Sequence, residues 1–256
     1  VIDAPLKVWL EREGALLRLR LARPKANLID QAMVAALSAA FTAHPPGHGL
    51  LAALLDAEGP HFSFGASVEE HLPGRCAGML GTLHALILQM LEWPAPILVA
   101  VRGRCLGGGL EVAMAGSLIF AASDAQLGQP EIQLGVFAPA ASCLLPPRIG
   151  QAAAEDLLLS GRSVDAAEAK ALGLVHAVAT DPEIDALEYF DRHFAGKSAA
   201  ALGCAMAAAR SGCLRDLRRR LDEVEHLYLQ GLMKTRDANE GLEAFLAKRA
   251  PRWEHR

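Results

Sequence analysis

The sequence predicts an α/β core to about residue 190 followed by a helical C-terminal part, dividing the chain into residues 1–190 and 191–256. Two observations give the core. Leu50 to Leu55 and Ile97 to Val101 are continuous apolar runs, the mark of strands covered on both faces. Between such runs lie stretches with apolar residues at helical spacing, bounded by proline and glycine. A third observation gives the C-terminal part: from Pro182 onward the chain reads as helix, apart from short breaks and the tail after Lys248.

In chain order, Val8 to Leu10 and Leu16 to Leu21 read as strands joined by a turn at Glu13-Gly14. In the second, Leu17, Leu19 and Leu21 share one face and Arg18 and Arg20 the other. Pro24 ends it, Lys25-Ala26-Asn27 makes a loop, and Asp30 is placed to cap a helix carrying Met33, Val34, Leu37 and Phe41. The Leu50–Leu55 strand follows, then a turn at Glu58-Gly59-Pro60 and a short strand at His61 to Phe64 with Phe62 and Phe64 on one face. A helix is expected from Cys76 to Glu92, stopped by Pro94 and Pro96. After Ile97 to Val101 come a glycine loop, a short helix carrying Glu111, and strands at Leu118 to Ala121 and Ala125 to Gly128. Helices are expected at Ala140 to Ile149 and Gln151 to Ser160. Asp165 caps another that ends at Gly173, and Leu174 to Val178 reads as a last strand. The C-terminal part divides into helices to Ala195, from Ser198 to Ser211, from Leu214 to about Thr235, and to Lys248.

With 52% apolar and 21% charged residues, the 256-residue chain can bury a sizeable core. Its net charge of −4 argues against a broad nucleic-acid surface. The arginine cluster Arg215, Arg218, Arg219 and Arg220 reads as a solvated face or subunit contact ahead of an RNA site. No apolar run is long enough for a membrane span. No leader pattern is visible at Val1-Ile2-Asp3-Ala4-Pro5, and the odd number of cysteines points to a reduced, cytoplasmic protein. The five cysteines include no C-x-x-C pair, and Cys105 and Cys143 read as buried packing residues. His61, His71 and His84 lack ligand spacing, so no metal is expected. Ser63, Ser67 and Ser142 lack a nucleophile elbow.

The chemistry centres on Gly103 to Glu111, which holds three consecutive glycines and then a carboxylate. The segment is neither a P-loop, since Gly109 stands where lysine is required, nor a dinucleotide fingerprint. Two readings stay open: a tight strand-to-helix turn, or a turn that lets backbone approach a ligand. Glu131 follows Gly128-Gln129-Pro130 in a second such turn. Two carboxyls in one site would hold one proton between them and serve as acid and base. Phe62 to Ser67 is either a strand end or a source of one backbone N–H, from Ala66, for an anion hole.

These segments together resemble the crotonase (enoyl-CoA hydratase/isomerase) superfamily over nearly the whole chain. The resemblance rests on Ala22 to Asn27, Phe62 to Ala66, Ala100 to Gly103 with Gly107 to Glu111, Leu127 to Ile132, Ser160 to Arg162, Ala166 to Val175, and Ala244 to Arg249. It implies a β-β-α spiral with a helical trimerisation region, as a homotrimer or a hexamer built as a dimer of trimers. It implies an acyl-CoA thioester substrate and no separate cofactor, coenzyme A being part of the substrate. By position, Ala66 and Gly108 would bind the thioester oxygen, and Glu111 and Glu131 match the two glutamates of the hydratase branch. Lys25, Ala26, Ser67 and Val68 would line the coenzyme A path, with Lys248 reaching a neighbouring subunit's ligand.

Two segments depart from the general family pattern. Ser67 replaces the aspartate usual after the first anion-hole alanine, and Gly135 to Ser142 replaces a glycine-rich segment, with Pro139 removing a backbone donor. Phe62, Phe64 and Phe137 fall near these loops, which suggests a ring-shaped acyl group, ordinary core packing being the other reading. Leu55 to Leu72 and Leu134 to Cys143 resemble the branch of the family that hydrates cyclic dienoyl-CoA thioesters in anaerobic breakdown of aromatic acids. The rival expectations are a general hydratase or isomerase of linear acyl-CoA, and a non-catalytic relative that binds RNA.

Overall fold

The computed structural model describes residues 4–47 and 49–256; the leader reading at Val1 to Asp3 lies outside them. Strands β1 (Leu6–Glu11) and β2 (Leu16–Leu21) form an antiparallel hairpin. Strand β2 then pairs in parallel with β3 (Ala52–Ala57), which pairs with β4 (Ile97–Val101). Strands β6 (Leu118–Ala122) and β9 (Ala177–Ala179) complete a six-stranded sheet ordered β1-β2-β3-β4-β6-β9. A smaller sheet joins β5 (Arg104–Leu106), β7 (Gln126–Gly128) and β8 (Ser163–Asp165), with β5 and β7 parallel. An isolated parallel bridge from Ser63 to Cys105 extends this sheet beyond β5.

The chain therefore winds as a spiral. Each turn lays a strand in the large sheet, a short extended piece in the small sheet, and then a helix. The helices are α1 (Gln31–Ala43), α2 (Cys76–Glu92), α3 (Gly108–Ala115), α4 (Pro139–Ile149), α5 (Gln151–Ser160) and α6 (Ala166–Ala171). One consequence positions the site. Ser63, β5 and β7 run parallel and side by side, so the loops that follow them emerge at one end of the small sheet. These loops carry Ala66, Gly108 and Glu131.

Local sequence accounts for most boundaries. Asp30 and Asp165 accept bonds from Met33 N and Glu168 N, capping α1 and α6. The main core lies between the large sheet and helices α1 to α4, around Leu19, Leu55, Ile87 and Val99. The opposite face of the sheet is also covered: α7 (Pro182–His193) lays Ala186 and Phe190 over Leu16, Leu54, Leu98 and Phe120. Arg18 is buried on that face, where its guanidinium bonds Asp56 at 2.6 Å, Glu183 at 2.6 Å and Glu11 at 2.8 Å. A buried cation is tolerable there because three carboxylates partner it.

Several expected elements move. The His61–Phe64 strand is not one: Phe62 is wholly buried while Phe64 is 43% exposed, because the chain turns there to bond Arg102 O and then Ala26 O. The last strand begins at Ala177, three residues later than the Leu174 expected, since Leu174 and Val175 bond back to Ala169 O. Strands β5 and β8 were not expected, being too short for a period to show. The two helices expected on either side of Gly212 are one, α8 (Ala199–His226), continuing through a π-helical turn at Leu227–Gly231. A mid-helix glycine costs only about 1 kcal/mol. Arg210 to Leu91 O and Ser117 Oγ, with Arg218 to Glu92, tie the helix down on both sides. Helix α9 (Arg236–Leu246) then folds back so that Gly241 and Leu242 meet the loop after β7.

Candidate active site

A cavity of about 400 Å³ opens at the end of the small sheet. Ala66, Gly108, Glu111 and Glu131 all line it, so the four residues expected to carry the chemistry come together. Of the expected acyl and coenzyme A contacts, Phe64, Val68 and Phe137 lie on its wall. Lys25, Ala26, Ser67 and Lys248 do not. Ala26 sits behind the wall, its carbonyl accepting from Phe64 N at 2.9 Å.

The three glycines have separate reasons to be there. Gly107 has φ +50°, and a Cβ on it would stand 2.5 Å from Glu131 Oε1. A Cβ on Gly108 would stand 3.1 Å from Ala66 N, and one on Gly109 would stand 2.5 Å from the Ser63 Cβ. The start of α3 is thus pressed against three different partners: at Gly107 and Gly109 only a residue without a side chain fits, and at Gly108 a methyl would be tight. Gly108 N–H belongs to the first helical turn, where no intrahelical acceptor exists. Neither it nor Ala66 N–H has an acceptor among the described residues. The two free donors lie close together, a Cβ on Gly108 falling 3.1 Å from Ala66 N, which is the layout of an anion hole.

Two residues that sequence reading passed over hold the Ala66 loop. Asn27 is fully buried and donates through Nδ2 to Glu58 O at 2.9 Å and His61 O at 3.0 Å, while its Oδ1 accepts from Arg23 N at 2.9 Å. Ser63, also fully buried, donates to Asn27 O at 2.8 Å and accepts from Gly65 N at 3.1 Å. The sequence places Asn27 in the loop after Pro24 and Ser63 beside Phe62, but carries no signal that the two would bond each other.

Glu111 is 4% exposed, and its Oε1 accepts from Ala141 N at 2.8 Å. That amide belongs to the first turn of α4, whose N–H groups favour negative charge. Pro139 costs the helix nothing, because it takes the first helical position, where an N–H would have no partner within the helix. Glu131 sits in a 3-10 turn, Pro130–Leu134. With its amide oriented to donate, buried Gln129 reaches Glu131 Oε1 at 3.2 Å and Oε2 at 3.1 Å. Both carboxyls hold protons well above the ordinary glutamate range. Burial is the main cause for each, and for Glu131 the charge of Glu111 adds to it. The Ala141 and Ala140 amides oppose the shift at Glu111. The pair therefore favours a state with Glu111 ionised and Glu131 protonated.

Most of the rest of the wall is apolar, from Met79, Leu80 and Leu83 of α2, Val136 and Phe137, and Leu242 and Phe245 of α9. Phe137 is backed edge-on by Tyr228 at 5.3 Å between ring centres. Phe62, by contrast, is core and does not reach the cavity. Cys105 and Cys143 are buried packing residues, and burial pushes the Cys143 thiol up to about 11. The arginine cluster is largely spoken for: Arg218 pairs with Glu92, Arg219 with Asp216 and Glu223, and Arg220 donates to Ser142 O. Among the described residues no helix is long and apolar enough to cross a membrane.

Comparison with known proteins agrees with this geometry. The enoyl-CoA hydratase/isomerase family model matches residues 11–256. The chain is 62% identical over 254 residues to cyclohexa-1,5-dienecarbonyl-CoA hydratase of Thauera aromatica, covering 99% of this chain and 98% of that protein. It is 32% identical over 237 residues to a probable enoyl-CoA hydratase of Bacillus subtilis (strain 168), covering 90% and 92%. The fold superposes on an enoyl-CoA hydratase structure from Mycobacterium avium with a TM-score of 0.86 at 23% identity, covering 98% and 99%. The chain belongs to the enoyl-CoA hydratase/isomerase (crotonase) family.

Proposed function

We propose that this chain is a hydro-lyase that adds water to a conjugated cyclic dienoyl-CoA thioester, converting cyclohexa-1,5-diene-1-carbonyl-CoA to 6-hydroxycyclohex-1-ene-1-carbonyl-CoA in anaerobic aromatic degradation. The observation that carries the hydratase reading is two free backbone N–H groups and two proton-holding carboxyls facing one apolar cavity. The similarity to the Thauera aromatica protein supports the cyclic substrate, as does the aromatic wall at Phe137.

The steps follow from the geometry. The thioester oxygen lies between Ala66 N–H and Gly108 N–H. Ionised Glu111 takes a proton from water, and the hydroxide oxygen bonds to the β-carbon of the ring. The displaced electrons run into the thioester as an enolate, which the anion hole stabilises by about 3 kcal/mol per donor. Protonated Glu131 then delivers its proton to the far end of the diene. One ring double bond remains, conjugated to the thioester, and one water has been added. No cofactor takes part, coenzyme A being carried by the substrate.

The same proposal places Lys25, Ala26, Ser67 and Val68 along the coenzyme A path, and Lys248 against the ligand of a neighbouring subunit. Residues 191–256 serve as the subunit-contact region of a homotrimer or hexamer in the cytoplasm. The exposed strip at Ala201, Cys204, Ala205 and Ala207 to Ala209 on α8 supports that reading, being apolar surface a second subunit would cover. The experiment compares hydration of cyclohexa-1,5-diene-1-carbonyl-CoA with that of crotonyl-CoA by the purified protein. Faster turnover of the cyclic diene is expected. Faster turnover of crotonyl-CoA would make the chain a general enoyl-CoA hydratase.

A further inference from the structure

Three polar side chains on the cavity wall, His71, Gln133 and Arg249, have no part in the mechanism above. His71 lies at the end of the 3-10 turn Val68–His71, which follows directly on the anion-hole residue Ala66, and its side chain lines the same cavity as Glu111 and Glu131. Its Nδ1 is 2.9 Å from Ser67 O. A carbonyl only accepts, so the ring proton sits on Nδ1 and Nε2 is left with a lone pair. Nε2 makes no hydrogen bond among the described residues. Burial holds the His71 pKa below the ordinary histidine value, against the opposing pull of the Ser67 bond, so the ring is neutral at neutral pH.

The chemistry of water addition calls for such an acceptor. The attacking water has two O–H bonds. One proton goes to Glu111; the other stays on oxygen throughout and becomes the hydroxyl of the product. In a cavity walled by leucine, methionine, valine and phenylalanine, that second O–H must find a partner or lose hydrogen-bond energy. Glu111 Oε1 already accepts from Ala141 N, leaving its other oxygen for the first proton. Arg249 on the wall is a donor only, and its guanidinium is paired with Glu240. Gln133 is exposed, with its amide nitrogen turned to Gly161 O at 3.0 Å. Glu131 carries the second proton, and both of its oxygens already accept from the Gln129 amide, at 3.2 and 3.1 Å. His71 Nε2 is the acceptor that remains among these side chains.

We infer that His71 Nε2 accepts the hydrogen bond of the retained O–H, first on the attacking water and then on the product hydroxyl. His71 is on this account a binding residue that distinguishes hydroxylated from non-hydroxylated thioesters. The inference rests on the hydratase reading but not on which acyl group is preferred.

The test uses His71→Leu, which removes the acceptor, and His71→Gln, which keeps one. The hydroxylated ring thioester is assayed in the dehydration direction, and cyclohex-1-ene-1-carbonyl-CoA, which lacks the hydroxyl, serves as a competitive inhibitor. Should the wild-type protein prefer crotonyl-CoA, the matching pair is 3-hydroxybutyryl-CoA and butyryl-CoA, so failure of the cyclic reading leaves this test intact. His71→Leu is expected to raise KM for the hydroxylated thioester about tenfold, the scale of one hydrogen bond, with the inhibition constant of the non-hydroxylated thioester unchanged within about twofold. His71→Gln is expected to recover most of the loss. Equal weakening of both thioesters, no weakening of the hydroxylated one, or a Gln variant no better than Leu would each overturn the inference.

Discussion

Replacing Gly108 by alanine separates the anion hole from the architecture that carries it. Gly108 opens α3 and lies outside the positive-φ glycines, so alanine brings no backbone strain there. Alanine is favoured over glycine in helices by up to about 1 kcal/mol, which offsets crowding. The added methyl would sit 3.1 Å from Ala66 N and 3.2 Å from Ala66 Cβ, closer than ordinary contact by a few tenths of an ångström. Stability should therefore change by no more than about 1–2 kcal/mol, or a few degrees in Tm for a chain of this size. Activity should not survive so well. An oxyanion needs to lie roughly 2.7–3.1 Å from each donor, and a methyl 3.1 Å from Ala66 N crowds that space. Losing one donor of such a hole costs about 10² to 10³ in kcat, and this substitution blocks both. The assay is steady-state hydration of the preferred thioester, paired with thermal unfolding. A Gly108→Ala protein that folds and keeps kcat/KM within tenfold of wild type would refute the assignment of Ala66 and Gly108 to the thioester oxygen.

Three further outcomes follow from the same geometry. Glu111→Gln and Glu131→Gln should each lower kcat by roughly a hundredfold or more, the scale of an acid–base group, and a near-wild-type rate in either removes that residue from proton transfer. The pKa values of about 7 for Glu111 and about 8 for Glu131, against 4.5 for a free glutamate, carry a stability consequence with a definite sign. The folded protein binds more protons than the unfolded one between about pH 4.5 and 8, so wild-type stability falls as pH rises through that window. The Tm difference between Glu131→Gln and wild type should accordingly shift in favour of the variant from pH 5 to pH 9; a pH-independent difference contradicts the raised values. Asn27→Ala should destabilise by about 2–4 kcal/mol, since it leaves part-buried backbone groups at Glu58, His61 and Arg23 without their partner and places alanine at φ +44°. It should also slow hydration by loosening the Ala66 loop, and a denaturant-unfolding midpoint close to wild type would show that Asn27 is dispensable.

Much of this protein is written locally. The spacing of Met33, Leu37 and Phe41 behind Asp30, the unbroken run Ile97 to Val101, and the prolines at 94 and 96 determined α1, β4 and the end of α2, because these depend on neighbours a few residues apart. The glycine run followed by Glu111, with Glu131 in a second turn, marked where chemistry would lie, and its order along the chain matched a family pattern. What tertiary structure decided is how those pieces meet. Ala66, Gly108 and Glu131 converge only because Ser63, β5 and β7 are laid side by side in register in the small sheet, a pairing made across tens of residues. The same holds for Ala141 N on Glu111, for the Asn27 and Ser63 anchors, for His71 on the cavity wall, and for the unbroken α8 across Gly212. Each is fixed by contact between distant segments, and burial then raises the proton affinity of the two glutamates. Sequence alone supplied the groups; packing brought them into one largely apolar cavity, where their proton affinities and their proposed roles diverge.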